Sequence, residues 1–122
     1  LTARKQWIAG MKPVGRLVVD AGAARALRRG ASLLPAGLRG VEGDFTRGDP
    51  VAIVTETGDS VGAALVGYPA EEALAIIGRQ SRELEEALGH PARAEVAHSD
   101  NMVIWDAQGA DASAEIEEGS AR

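Results

Sequence analysis

The sequence predicts a mixed β-sheet with two helices, curled into a small closed sheet. Three observations carry that expectation. Short runs of β-branched and small apolar residues, "VAIVT" and "VGAALVGY", are separated by glycine-bearing turns. Two segments within the domain have helical spacing and end signals, 21–30 and 69–89. Strands do not alternate with long helices, which argues against a doubly wound sheet. The length of 122 residues fits one domain plus extensions, and a 45% hydrophobic content is enough for a core. Aromatic residues make up only 3%, so Val, Leu, Ile and Ala must fill that core.

Each element has its own local reason. Residues 3–9 read as the end of a helix, which Gly10, Pro13 and Gly15 break; residues 1–15 are therefore expected to connect the domain to something upstream. Residues 17–19 form a short apolar strand. Asp20 can cap the helix that follows, Gly30 supplies a left-handed end, and Arg28 and Arg29 lie in the last turn, where the helix dipole favours cations. Leu33, Leu34 and Pro35 make an extended apolar plug, and Gly37 allows a turn. The strand "LRGVEGDF" is anchored by Val41 and Phe45. In "TRGDP", Gly48 supplies positive φ and Asp49 can bond the local backbone. "VAIVT" and "VGAALVGY" then form a hairpin around Gly58. Pro69, Glu71 and Glu72 open one long helix whose buried face is Ala73, Ile77, Leu84 and Leu88; Gly89 and Pro91 end it. A last strand lies near 102–105. The domain proper is expected over 16–105, and the acidic segment 106–122 is expected to be a disordered tail.

Composition narrows the function classes. The absence of cysteine excludes disulfides, thiolate metal sites and cysteine nucleophiles, and fits a cytoplasmic setting. No apolar run approaches a membrane span, so no membrane partner is expected, and no secretory signal precedes the domain. The chain begins with Leu1, as a piece of a longer polypeptide would. The net charge of -5 hides an asymmetry. Residues 1–47 hold nine basic side chains against three acidic ones, and residues 48–122 hold four against fifteen. A basic half can meet nucleic acid or an acidic protein face; alternatively, the halves neutralise each other in the fold.

Glycines in "GLRGVEG" invite a nucleotide reading, but a phosphate-binding loop needs a helix immediately after it, and here a strand follows. His90 and His98 with scattered acids do not make a ligand set, and no metal site is expected. "HSD" reads as a strand start in which Asp100 bonds nearby amides. No serine lies in a nucleophile elbow, and Glu85 and Glu86 read as a solvated helix face. No catalytic residue is assigned. The remaining cluster is basic: Arg25, Arg28, Arg29 and Arg39, with Lys5 and Lys12 upstream. Together with the amides near Gly30 and Ser32 it is a candidate RNA-binding site, comprising Arg25, Arg28, Arg29, Ser32 and Arg39. No aromatic lies among them to stack on a base, so shape reading of a folded RNA helix suits them better than single-strand binding.

"GASLLPAGLRGVEGDFTRGDPVAIV", with the return strand "AALVGY", resembles the PUA domain, the small pseudo-barrel of pseudouridine synthases and archaeosine transglycosylases. More narrowly, "LTARKQWIAGMKPVGRLVVDAGAARALRRGASLLPAG", "EGDFTRGD", "IIGRQSRELEEALG" and "HSDNMVI" in that order resemble the C-terminal region of the bacterial glutamate 5-kinase family, over residues 1–104. The resemblance implies a PUA-like β pseudo-barrel following an amino acid kinase domain. That upstream domain would be this chain's partner and would hold ATP and Mg²⁺ in a homo-oligomeric parent; this chain would need no cofactor. "ARKQWI" resembles the end of that kinase domain. In RNA-modifying members, the region corresponding to 28–37 grips RNA. The chain departs from the family pattern at residues 67–70, Gly-Tyr-Pro-Ala in place of Asn-Tyr-Ser-Ser, and at Ser99, where the family commonly has Arg. The second change removes a cation beside the last strand.

Overall fold

The computed structural model describes residues 2–105. The segment 106–122, expected to be a disordered tail, lies outside the described residues. Helix α1 (Ala3–Ala9) begins at Thr2, whose hydroxyl accepts from the Lys5 amide. Strand β1 (Gly15–Val19) leads into helix α2 (Ala21–Arg28), and a 3-10 turn at Pro35–Gly37 precedes β2 (Leu38–Gly43). Strands β3 (Pro50–Thr55) and β4 (Ser60–Leu65) follow. Helices α3 (Ala70–Ala75) and α4 (Leu84–Leu88) are separated by a 3-10 turn at Ser81–Glu83, and a last 3-10 turn at Ser99–Asn101 leads into β5 (Met102–Ile104).

The sheet is mixed, in the order β2-β1-β3-β4-β5. β1 and β3 run parallel, and the other neighbours are antiparallel. Parallel pairing needs a crossover, which α2 and β2 supply between β1 and β3. The sheet is open, contrary to the closed one expected. β5 has only three residues, and no ladder joins it to β2. One isolated bridge, Leu33 with Ala97, links the approaches to these two edge strands. The Leu33 amide donates to the Ala97 carbonyl (2.9 Å), and the Val96 amide to the Leu33 carbonyl (2.7 Å).

Four helices replace the two expected. Residues 3–9 are helical as read, and the long helix over 69–89 is broken. α3 stops at Ala75, and Gly78 adopts φ +73, outside helical space. Its amide donates to the Pro35 carbonyl (2.9 Å), so tertiary pairing replaces a helical bond. A new start forms at Gln80, whose amide donates to the Glu83 carboxylate (2.7 Å). The break also shifts the buried positions: Ile76 is fully buried, whereas Ile77 is only half-buried.

The main core packs α2, α3 and α4 on the sheet through Leu17, Leu27, Leu38, Phe45, Ile53, Ile76 and Leu84. Each such aliphatic side chain contributes about 1.5–3 kcal/mol on full burial. Leu33 and Pro35 are buried here, but Leu34 points outward, so the apolar plug is two residues rather than three. A second cluster, Ile8 with Ala63 and Val103, seats α1 against β4 and β5. Residues 61–64 of β4 are consequently buried on both faces.

Candidate functional site

Helix α2 presents three guanidinium groups on one side. Ala24 and Leu27 face the core, while Arg25, Arg28 and Arg29 are exposed. Spacings of three and four residues put these arginines on one face. The Asp20 carboxylate caps the helix by accepting from the Ala23 amide (2.7 Å). Gly30 then takes the left-handed φ of +97 that ends it. Among the described residues, no carboxylate lies within ion-pair distance of Arg25, Arg28 or Arg29. The dipole of the helix C-terminus favours cations at these positions.

Arg39 and Ser32, unlike this trio, make hydrogen bonds that hold the fold. Arg39 reaches the opposite end of α2, where its Nη2 pairs with Asp20 Oδ2 at 2.9 Å. Its Nη1 donates to the carbonyls of Ala36 (3.0 Å) and Leu38 (3.1 Å). Ser32 Oγ accepts from the Ser99 amide (2.8 Å), tying the α2–β2 loop to the turn before β5. In that turn the His98 Nδ1 accepts from the Asp100 amide (3.0 Å). The capping side chain is therefore His98, which precedes the turn, and not Asp100 as expected from the sequence.

Two groups carry displaced proton equilibria. The Tyr68 ring is buried, which raises its phenol above the usual value against the opposing hydrogen bond it donates to the Arg93 carbonyl. His90 is raised by the Pro91 carbonyl (2.8 Å from Nδ1) and by Glu72 (3.1 Å from Nε2). Both acceptors favour the imidazolium, which has a donor for each. Neither group stands beside a nucleophile. No cluster of metal-ligating side chains occurs among the described residues.

The fold also gathers arginines that sequence reading did not group. Arg4, Arg47 and Arg93 line one groove, with Glu95, His98 and Asn101. They come from α1, the β2–β3 connection and the segment after α4, so no sequence spacing signals their meeting.

The PUA domain model matches residues 15–88. Glutamate 5-kinase of Jannaschia sp. (strain CCS1) is 57% identical over 102 residues, which is 84% of this chain and 28% of that protein. Glutamate 5-kinase of Agrobacterium fabrum (strain C58 / ATCC 33970) is 52% identical over 105 residues, 85% of this chain and 27% of that protein. The chain thus spans under a third of the length of these relatives. Among solved structures, a PUA domain from Aeropyrum pernix K1 in a tartrate complex is 32% identical, with a TM-score of 0.51 over 79% of this chain and 46% of its own. A Cbf5-Nop10-Gar1 complex superposes with a TM-score of 0.56 at 19% identity, over 78% of this chain and 24% of that one, a likeness of fold alone.

Proposed function

The chain belongs to the PUA domain family, and from that premise we propose that it is the C-terminal, non-catalytic domain of a glutamate 5-kinase. The identity of 57% to a named glutamate 5-kinase carries this reading. The longer polypeptide would transfer a phosphoryl group from ATP, with Mg²⁺, to the γ-carboxylate of L-glutamate in the cytoplasm, opening proline biosynthesis. Its amino acid kinase domain would precede α1 and hold both substrates. The present domain would tune that enzyme: its assembly, its Mg²⁺ dependence or its inhibition by proline. The seating of Ile8 against Ala63 and Val103 supports such coupling, because the entering segment is packed on the sheet rather than hung from it. The test is to delete residues 15–105 from the longer enzyme. Altered inhibition, metal dependence or oligomer size is expected, with turnover retained. Unchanged behaviour in all three would overturn the reading.

A second reading, RNA binding, is favoured by one observation: Arg25, Arg28 and Arg29 share a face and have no carboxylate partner among the described residues. That arrangement suits the phosphates of a folded RNA helix. Its test is a titration with mixed transfer RNA at low salt, followed by amide shifts. Shifts over residues 25–39, abolished by Arg28→Glu, are expected on this reading; their absence would remove it.

A further inference from the structure

The groove between the β2–β3 connection and the segment before β5 has fixed walls and uncommitted charges. Val66 and Gly67 line it between the two. On one side, the Gly48 amide donates to the Val66 carbonyl (2.7 Å), and the Val66 amide to the Asp49 carbonyl (3.0 Å). Asp49 in turn accepts from the Thr46 amide (2.9 Å). Arg47 is therefore carried on a turn closed at both ends. On the other side, the Gly67 amide donates to the Val96 carbonyl (2.7 Å), and the Tyr68 hydroxyl donates to the Arg93 carbonyl. The backbone on both sides is thus bonded to the same short segment.

Gly67 is what lets the second wall come so close. A Cβ there would lie 3.0 Å from the Val96 carbonyl oxygen and 3.3 Å from Arg93 Cδ. The third cation, Arg4, is aimed by Asn101, whose Oδ1 accepts from its Nε (3.1 Å) and its Nη2 (2.5 Å). Among the described residues, none of the three guanidinium groups has a carboxylate within ion-pair distance. Glu95 is the one acid lining this groove. The space holds about 230 Å³, room for a single compact oxyanion group.

We propose that this groove binds a compact dianion, a phosphate or short dicarboxylate group, between Arg47 and Arg93, with Arg4 closing one end. Planar guanidinium groups suit such oxyanions because they can donate two parallel hydrogen bonds. One acid against three arginines leaves the lining net positive, which favours a ligand that brings more than one negative charge. None of the α2 arginines takes part, so this site and any RNA contact there can be separated.

The test uses the 122-residue chain at low ionic strength, with inorganic phosphate, malonate and chloride added in parallel. Phosphate or malonate is expected to shift the amides of Gly48, Gly67 and Asn101 with millimolar midpoints, and chloride at equal ionic strength is not. Whichever of the two binds more tightly identifies the source of the dianion. Arg47→Gln and Arg93→Gln are each expected to weaken the binding by about tenfold, the size of one charge-assisted contact. Arg28→Gln is expected to leave it unchanged. Both groove arginines are exposed, so the variants keep their fold, checked by unaltered shift dispersion. Equal responses to chloride, or titrations that survive both groove variants, would overturn the proposal. Shifts produced by RNA alone would do so too.

Discussion

Asp20 does two jobs with one carboxylate: Oδ1 caps α2, and Oδ2 holds Arg39. The cap is the stronger contribution, because Arg39 is substantially exposed and its ion pair is screened by water. Asp20→Ala is therefore expected to cost about 1–2 kcal/mol in denaturant unfolding. Arg39→Gln is expected to cost under about 1 kcal/mol. The cap was legible in the sequence because it is a local contact across three residues. The partner of Arg39 was not, because β2 has to cross back beside the start of α2 before the two side chains meet. The same distinction applies to Ser32, whose hydrogen bond spans 67 residues. His90 offers a pH readout. It is expected to titrate above the ordinary imidazole value, and Glu72→Gln should lower it only in part, since the Pro91 carbonyl remains. A raised folded value means that this contribution to stability is full below the unfolded histidine value. It is lost as pH rises through His90's own. Proton-detected histidine titration checks both statements.

Among the elements, the segment 69–89 shows how periodicity can mislead. Ala73, Leu84 and Leu88 keep helical spacing across the gap, so the pattern reads as one helix. Gly78 is the break, and what fixes it is remote: the Pro35 carbonyl takes its amide. Gly78→Ala is expected to destabilise the domain by about 1 kcal/mol or more rather than mend the helix, because φ +73 strains any side chain. Chemical denaturation measures this; a gain in stability and helicity would contradict the account. Gly37 presents a different constraint, since a Cβ there would lie 2.5 Å from the Ala23 Cβ, at the contact between α2 and the loop. Gly37→Val is expected to cost about 1–3 kcal/mol as α2 is forced outward. β2 ends at Gly43 and β4 at Leu65, short of the expected Phe45 and Tyr68, but the existence of each strand was legible because β-branched runs and glycine turns are local signals. Sheet closure was not: it depends on how long β5 can run after the Ser99–Asn101 turn, and only three residues remain in register.

At the scale of the whole domain, the charge asymmetry persists among the described residues. Among the described residues the ion pairs are Arg16–Glu42, Arg39–Asp20, His90–Glu72 and His98–Asp100, each within one half of the sequence. None of these joins residues 2–47 to residues 48–105, so the described parts of the two halves do not neutralise each other by pairing. The α2 arginines are one product of that separation, whereas the Arg47–Arg93 groove draws its cations from both parts of the sequence. The first was legible from spacing on one helix; the second needed three distant segments to converge. If α2 binds RNA through its three arginines, the logarithm of affinity should fall with log salt at a slope of about -2 to -3. A slope near zero in a salt series would remove electrostatic RNA recognition by this face.

If the chain is the C-terminal domain of a longer glutamate 5-kinase, as proposed, coupling between the two parts would pass through α1. The most direct measurement is amide hydrogen exchange of the full-length enzyme, free and with glutamate, ATP and Mg²⁺ bound. Altered protection is expected in α1 and β5, the elements joined by Ile8 and Val103. Identical exchange there in both states would contradict it.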